Sequence, residues 1–104
     1  MALPSKNNQS ISLNAASELT RNYRQREGTA AIKAGGFWKE NVQKILDQPG
    51  CVGLRCYYAS HDDGSPAIVL VGIDEKGNDL TDGPMTDDYF PCPPFCGAPN
   101  PLNG

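Results

Sequence analysis

Two stretches decide the fold of this chain: Cys51-Val52-Gly53-Leu54-Arg55-Cys56-Tyr57-Tyr58-Ala59 and Ala67-Ile68-Val69-Leu70-Val71-Gly72-Ile73. The first alternates, with Val52, Leu54, Cys56 and Tyr58 on one face and Gly53, Arg55 and Tyr57 on the other, which is the period of a strand with two unlike faces. The second is a dense β-branched and aliphatic run suited to a pleated surface. Between them, His61-Asp62-Asp63-Gly64-Ser65 offers side chains that bond their own backbone and a glycine that accepts a positive φ. An antiparallel hairpin is predicted. Asp74-Glu75-Lys76-Gly77-Asn78 reads as a second turn, after which Asp79-Leu80-Thr81 is expected to open a short third strand.

Upstream of Pro49-Gly50 the period is helical. Ser12 can cap a helix, and Leu13, Ala16, Leu19 and Tyr23 recur at spacings of three and four up to Glu27-Gly28. Arg21, Arg24 and Arg26 fall in its last turns, where cations complement the helix dipole. Gly28 to Gly36, with small residues and a glycine pair, reads as a connection. A second helix is predicted from Gly36-Phe37 to just before Gln48-Pro49-Gly50, with Trp38, Val42, Ile45 and Leu46 as its buried stripe. Beyond Gly83-Pro84, five prolines each remove a backbone donor and argue against regular structure, although Met85, Tyr89, Phe90, Phe95 and Leu102 are apolar enough to lie on a surface. The expected fold class is α+β: two N-terminal helices on a small antiparallel sheet, either a hairpin or a three-stranded meander. Residues 1–10 form a loose arm, 11–83 the domain, and 84–104 a Pro/Cys-rich tail packed on the domain or on a partner.

With 104 residues, of which 38% are hydrophobic, the chain can build one modest core. Charge is segregated: residues 1–55 carry eight basic and four acidic side chains (net +4), and residues 56–104 carry one basic and eight acidic (net −7). Such a chain can neutralise itself within one molecule or against a second copy, while its overall acidity argues against nucleic acid as partner. No run approaches the ~20 apolar residues of a membrane span, and the first ten residues do not read as an export signal. A cytoplasmic location is therefore expected, with Cys51, Cys56, Cys92 and Cys96 as reduced thiols.

Gln48-Pro49-Gly50-Cys51-Val52-Gly53-Leu54-Arg55, Val69-Leu70-Val71-Gly72-Ile73-Asp74, Gly77-Asn78-Asp79-Leu80 and Cys92-Pro93-Pro94-Phe95-Cys96-Gly97 together resemble a family of small bacterial proteins. In that family an N-terminal helix, a second helix ending in a Pro-Gly-Cys turn, a hairpin and a Cys-Pro-Pro-rich C-terminus follow one another. The resemblance covers most of the chain after Ser10 and implies this architecture, with no activity, cofactor or catalytic residue attached.

Cys92 and Cys96 stand three residues apart in a rigid, proline-lined segment. Zinc sites use cysteine pairs at such spacings but need further ligands, here Cys51, Cys56 or His61, and no second close pair exists. A redox dithiol is the other chemical reading, and a structural tail with small apolar cysteines the bland one. His61-Asp62-Asp63 could serve acid–base chemistry or hold a cation weakly, but at a hairpin tip turn chemistry accounts for it. Asp74, Asn78 and Asp79 miss the spacing of a calcium loop because Gly77 precedes Asn78. Lys33-Ala34-Gly35-Gly36 lacks the residues that complete a phosphate loop. Arg21 to Arg26, three cations around Tyr23, reads as a solvated helix end or a docking surface for an acidic partner rather than an RNA-binding segment.

These readings favour a non-enzymatic protein-interaction module, self-associating as a homodimer, without cofactor or metal. The alternatives are a metal- or thiol-dependent protein using Cys92 and Cys96, and a ligand-binding or enzymatic domain with a pocket where the second helix meets the sheet, near Trp38, Arg55 and Tyr57.

Overall fold

The computed structural model describes residues 3–28 and 31–104 and is α+β, with two helices and two antiparallel sheets. The chain divides into two compact units, one made of Phe37–Tyr89 with residues 3–5, the other of Lys6–Gly36 with Phe90–Gly104.

The first unit contains the predicted hairpin. Strands β2 (Gly53–Ser60) and β3 (Pro66–Ile73) pair from Gly53↔Ile73 to Ser60↔Pro66. Their five-residue loop closes through His61 N–H to Ser65 O (2.9 Å) and Gly64 N–H to His61 O (2.9 Å), with Gly64 at φ +87°. Asp63 Oδ1 accepts from both the N–H and the hydroxyl of Ser65, so turn chemistry does account for this segment. The third strand lies further on than expected. Asp79 makes only an isolated bridge to Ile73, and Leu80 N–H reaches Gly72 O, because the Asp74–Asn78 turn delivers the chain to the very end of β3. Strand β4 (Met85–Thr86) pairs instead with Leu70 and Val71, giving the order β2-β3-β4 of a meander. The central strand β3 therefore carries the core: Ala67, Leu70 and Val71 are buried.

Helix α2 (Lys39–Leu46) has Glu40 in its first turn and Lys44 in its last, both suited to the helix dipole, and Gly50 at φ +80° lets the chain turn back afterwards. Of the four residues expected to form its buried stripe, only Ile45 is fully buried; Val42 is half-buried, Leu46 is exposed and Trp38 is 68% exposed. Trp38 is the N-cap, with extended φ −67° and ψ 139°, so its side chain is out of phase with the helical face. Leu46, one residue beyond Ile45, is rotated about 100° from it around the axis. The helix meets the sheet at Gly72, where a Cβ would stand 2.9 Å from Gln48 Nε2, 3.0 Å from Cys51 Sγ and 3.3 Å from Ile45 Cγ2. Glycine permits that approach. Tyr89 is buried too, its hydroxyl donating to Pro66 O (2.9 Å) and its ring stacked 6.2 Å from Phe37.

In the second unit, α1 (Leu13–Glu27) starts where Ser12 Oγ accepts from Ala15 N–H (3.1 Å) and ends where Gly28, at φ +90°, donates to Arg24 O (2.9 Å). The expected apolar face is only partly the inward one. Ser17 is buried and Ala16, Thr20 and Arg24 are half-buried, whereas Leu13 and Leu19 are 55% and 62% exposed. Polar ties hold its C-terminal half: Arg24 Nη1 donates to Leu102 O (2.5 Å) and the Tyr23 hydroxyl to Ile32 O (3.3 Å).

Two segments read as irregular are strands. β1 (Ala34–Gly36) and β5 (Phe90–Cys92) form an antiparallel ribbon in the register Ala34↔Cys92, Gly35↔Pro91, Gly36↔Phe90. Pro91 is tolerated because β5 has a strand on one side only, so its missing N–H can face away from the ladder. The Phe90 ring occupies the space a side chain at position 36 would need. Residues 84–104 are thus not wholly irregular. The peptide bonds Cys92–Pro93 and Pro93–Pro94 are cis. The last residues form a turn in which Asn100 Oδ1 accepts from Leu102 N–H and Asn103 Oδ1 from Asn100 N–H, while Lys33 Nζ donates to Asn103 O (2.7 Å).

Candidate functional site

Of the residues singled out for binding, Arg55 and Tyr57 come together, while Trp38 is the N-cap of α2. Arg55 lies opposite Val71, and Tyr57 opposite Val69, on the face of the hairpin turned away from Leu54 and Gly72. Helix α2 packs on the Gly72 face. Arg55 and Tyr57 therefore lie on the face of the hairpin turned away from α2.

Both side chains converge instead on Asp79. Arg55 Nη1 donates to Asp79 Oδ1 (2.6 Å) and to Gly77 O (3.0 Å), and the Tyr57 hydroxyl donates to Asp79 Oδ2. The hydrogen bond from Tyr57, followed by the Arg55 guanidinium, holds the Asp79 carboxyl below its usual range. Reciprocally, the bond to Asp79 raises both Tyr57 and Arg55, so the phenol remains a donor. Each carboxylate oxygen already has a charged or hydroxyl donor. The cluster ties the 74–79 turn to β2.

The outer edge of β2 is open, and so is the Tyr58 end of the face it shares with Leu54. The sheet order places β2 at the margin, with β3 on one side and no strand on the other among the described residues. Along this eight-residue margin Leu54 is 36% and Tyr58 92% exposed, and Cys56 is an exposed free thiol. Arg55 is its one formal charge and is already matched by Asp79. Outer strands in soluble proteins are commonly guarded by lysine, proline or a bulge, and residues 53–60 contain no lysine or proline.

Cys92 and Cys96 form a disulfide, which corrects the expectation of four reduced thiols; Cys51 and Cys56 are free. With their sulfurs joined, Cys92 and Cys96 are not available as thiolate ligands, and no group of three His, Cys, Asp or Glu able to hold a metal occurs among the described residues. His61 sits in the hairpin loop. The Lys33–Gly36 segment does not present a free loop to an anion, since it begins the β1–β5 ribbon with Lys33 N–H on Cys92 O (2.8 Å). In the arginine-rich end of α1, Arg26 pairs with Glu27 (3.0 Å) and lies 5.5 Å over the Tyr23 ring.

No protein-family model, curated protein or solved structure matches this chain. The likeness carried by the Pro-Gly-Cys turn and the Cys-Pro-Pro tail thus rests on those residues alone. Among the described residues no helix is long and apolar enough to cross a membrane. Two thiols three residues apart are close enough in sequence to bridge, but spacing alone does not fix their oxidation state. The outer position of β2 left no signal of its own, since pairing on one side or two gives the same alternation.

Proposed function

We propose that the protein is a self-associating interaction module whose contact is the outer edge of β2, paired antiparallel with the same strand of a second copy. The observation that supports this is the long, unguarded and electrically neutral margin from Gly53 to Ser60, with Tyr58 almost wholly exposed beside Leu54 and Cys56. A strand margin offers unpaired N–H and C=O groups, and an antiparallel copy supplies partners for them under a twofold axis. Two three-stranded sheets would become one of six strands. The apolar side chains on the Tyr58 face would then be covered by their own symmetry mates, the self-complementary arrangement a twofold interface requires. The neutrality of the strand removes the like-charge repulsion that would otherwise oppose self-pairing.

Sedimentation velocity over a wide concentration range tests this directly. A reversible monomer–dimer equilibrium is expected, and Tyr58→Lys, which sets like charges near the twofold axis, should shift it to monomer with unchanged circular dichroism. A wild-type protein that remains monomeric at millimolar concentration, or a dimer indifferent to Tyr58→Lys, overturns the proposal.

A further inference from the structure

We infer that Cys92–Cys96 is a dithiol–disulfide exchange site, with the sulfur of Cys96 as the point of attack. The site lies in the second unit and does not depend on pairing through β2. Three observations lead to it.

The first is the asymmetry of the two half-cystines. Cys92 sits in β5, 6% exposed and opposite Ala34 in the ribbon, whereas Cys96 is exposed on the loop that follows. Exchange is governed by which sulfur an entering thiolate can reach, so attack is directed to Cys96, with Cys92 as the leaving group.

The second is that the bridge contributes little as a staple. It spans three intervening residues, and the constraint a crosslink places on the unfolded chain grows with the length of the loop it closes. The same short loop is already closed by Phe95 N–H on Pro91 O (2.8 Å), and Phe95 packs edge-on against Phe90. Lys33 Nζ and Arg24 Nη1 anchor the turn beyond it at Asn103 O and Leu102 O. Opening the S–S bond would leave these contacts in place.

The third is access. An open recess of about 200 Å3 has the disulfide in its wall, with Gly35, Gly36, Phe90 and Phe95 around it. The two rings offer apolar walls. A small dithiol can therefore enter beside the Cys96 sulfur without displacing backbone.

The exchange balances as follows. A dithiol's first thiolate attacks Cys96 Sγ; a new S–S bond forms, the Cys92–Cys96 bond breaks, and Cys92 Sγ leaves with the electron pair and takes a proton from water. The dithiol's second thiolate then attacks its own mixed sulfur, releasing Cys96 as a thiolate that is protonated in turn. The dithiol ends as a cyclic disulfide, and two electrons and two protons have passed to the protein. Run in reverse, the reduced pair oxidises to its bridge at the expense of an external disulfide.

Dithiothreitol on the folded wild-type chain, followed by acid quenching, alkylation and peptide mass mapping, is the test. Rapid reduction of Cys92–Cys96 without denaturant is expected, with circular dichroism unchanged. In a Cys51→Ser, Cys56→Ser background, Cys92→Ser should leave a Cys96 that reacts with dithionitrobenzoate about tenfold or more faster than the Cys92 left by Cys96→Ser, because access sets the rate. A bridge that yields only once the chain is unfolded, or equal rates at the two thiols, overturns the inference; the wild-type arm stands even where a serine variant fails to fold.

Discussion

The two compact units keep their shape by different means. The unit of Phe37–Tyr89 has an apolar centre in Ile45, Ala67, Leu70, Val71 and Tyr89, whereas among the described residues of the other only Cys92 and Ser17 are buried. In the second unit the order comes from a helix cap, side-chain bonds to backbone carbonyls and a three-residue ribbon, to which the short Cys92–Cys96 bridge adds little. A hairpin with a period of two can generate its own buried face, but a glycine-rich strand and a proline-rich strand cannot. Burial of area drives the first, while hydrogen bonds, each of modest net worth, serve the second.

This contrast can be broken by substitution. Ile45→Ala should have the largest effect, about 3 kcal/mol of lost stability from the removed methylenes and the cavity left beneath Gly72. Amide hydrogen exchange read residue by residue should show the loss throughout Phe37–Tyr89; an effect no larger than that of a surface change would mean that this unit has no core of its own. Replacing both Cys92 and Cys96 by serine should cost the second unit about 2 kcal/mol or less, as expected for so short a loop, and leave amides of β3 unaffected. Ser12→Ala removes the α1 cap and should cost about 1 kcal/mol, seen as faster exchange in the first turn of α1.

The finest test concerns the Arg55–Tyr57–Asp79 cluster of the first unit. The folded-state carboxyl of Asp79 is depressed, so its stabilising contribution is fully present above the ordinary carboxylate value near 4 and is lost as pH falls through the lower folded value. The Tyr57 phenol is raised, so its contribution holds below its ordinary value near 10 and is lost as pH rises through the higher folded one. Stability of wild type relative to Asp79→Asn should accordingly form a plateau between these limits and fall at both ends. A difference independent of pH, followed by urea denaturation, would show that Asp79 acts by shape alone. The trio is partly exposed, so this effect is the smallest of the four.

The strand alternation and turn of the hairpin, both helices and the caps at Ser12 and Gly28 are legible in the amino-acid order, because period, turn chemistry and capping are set by neighbouring residues. The candidate sites were less readable. Spacing placed Arg55 and Tyr57 on one face, but their common partner Asp79 lies more than twenty residues away and is brought back by the Asp74–Asn78 turn. Trp38 reads as a core residue at helical spacing, yet as an N-cap in extended conformation it falls outside that period. The β1–β5 ribbon was hidden for a related reason: Ala-Gly-Gly and Phe-Pro-Cys have little intrinsic preference for strand and become strands only through each other.

What the amino-acid order determined by itself is the α+β class and the position of the alternating hairpin, since periodicity and turn chemistry are local properties of the chain. Tertiary structure decided which strand stands at the margin, that Met85–Thr86 rather than Asp79 completes the meander, and that Cys92 and Cys96 are joined. Strand order and ribbon pairing depend on groups distant in sequence, and the state of the two sulfurs on their approach in space, and no local period records either.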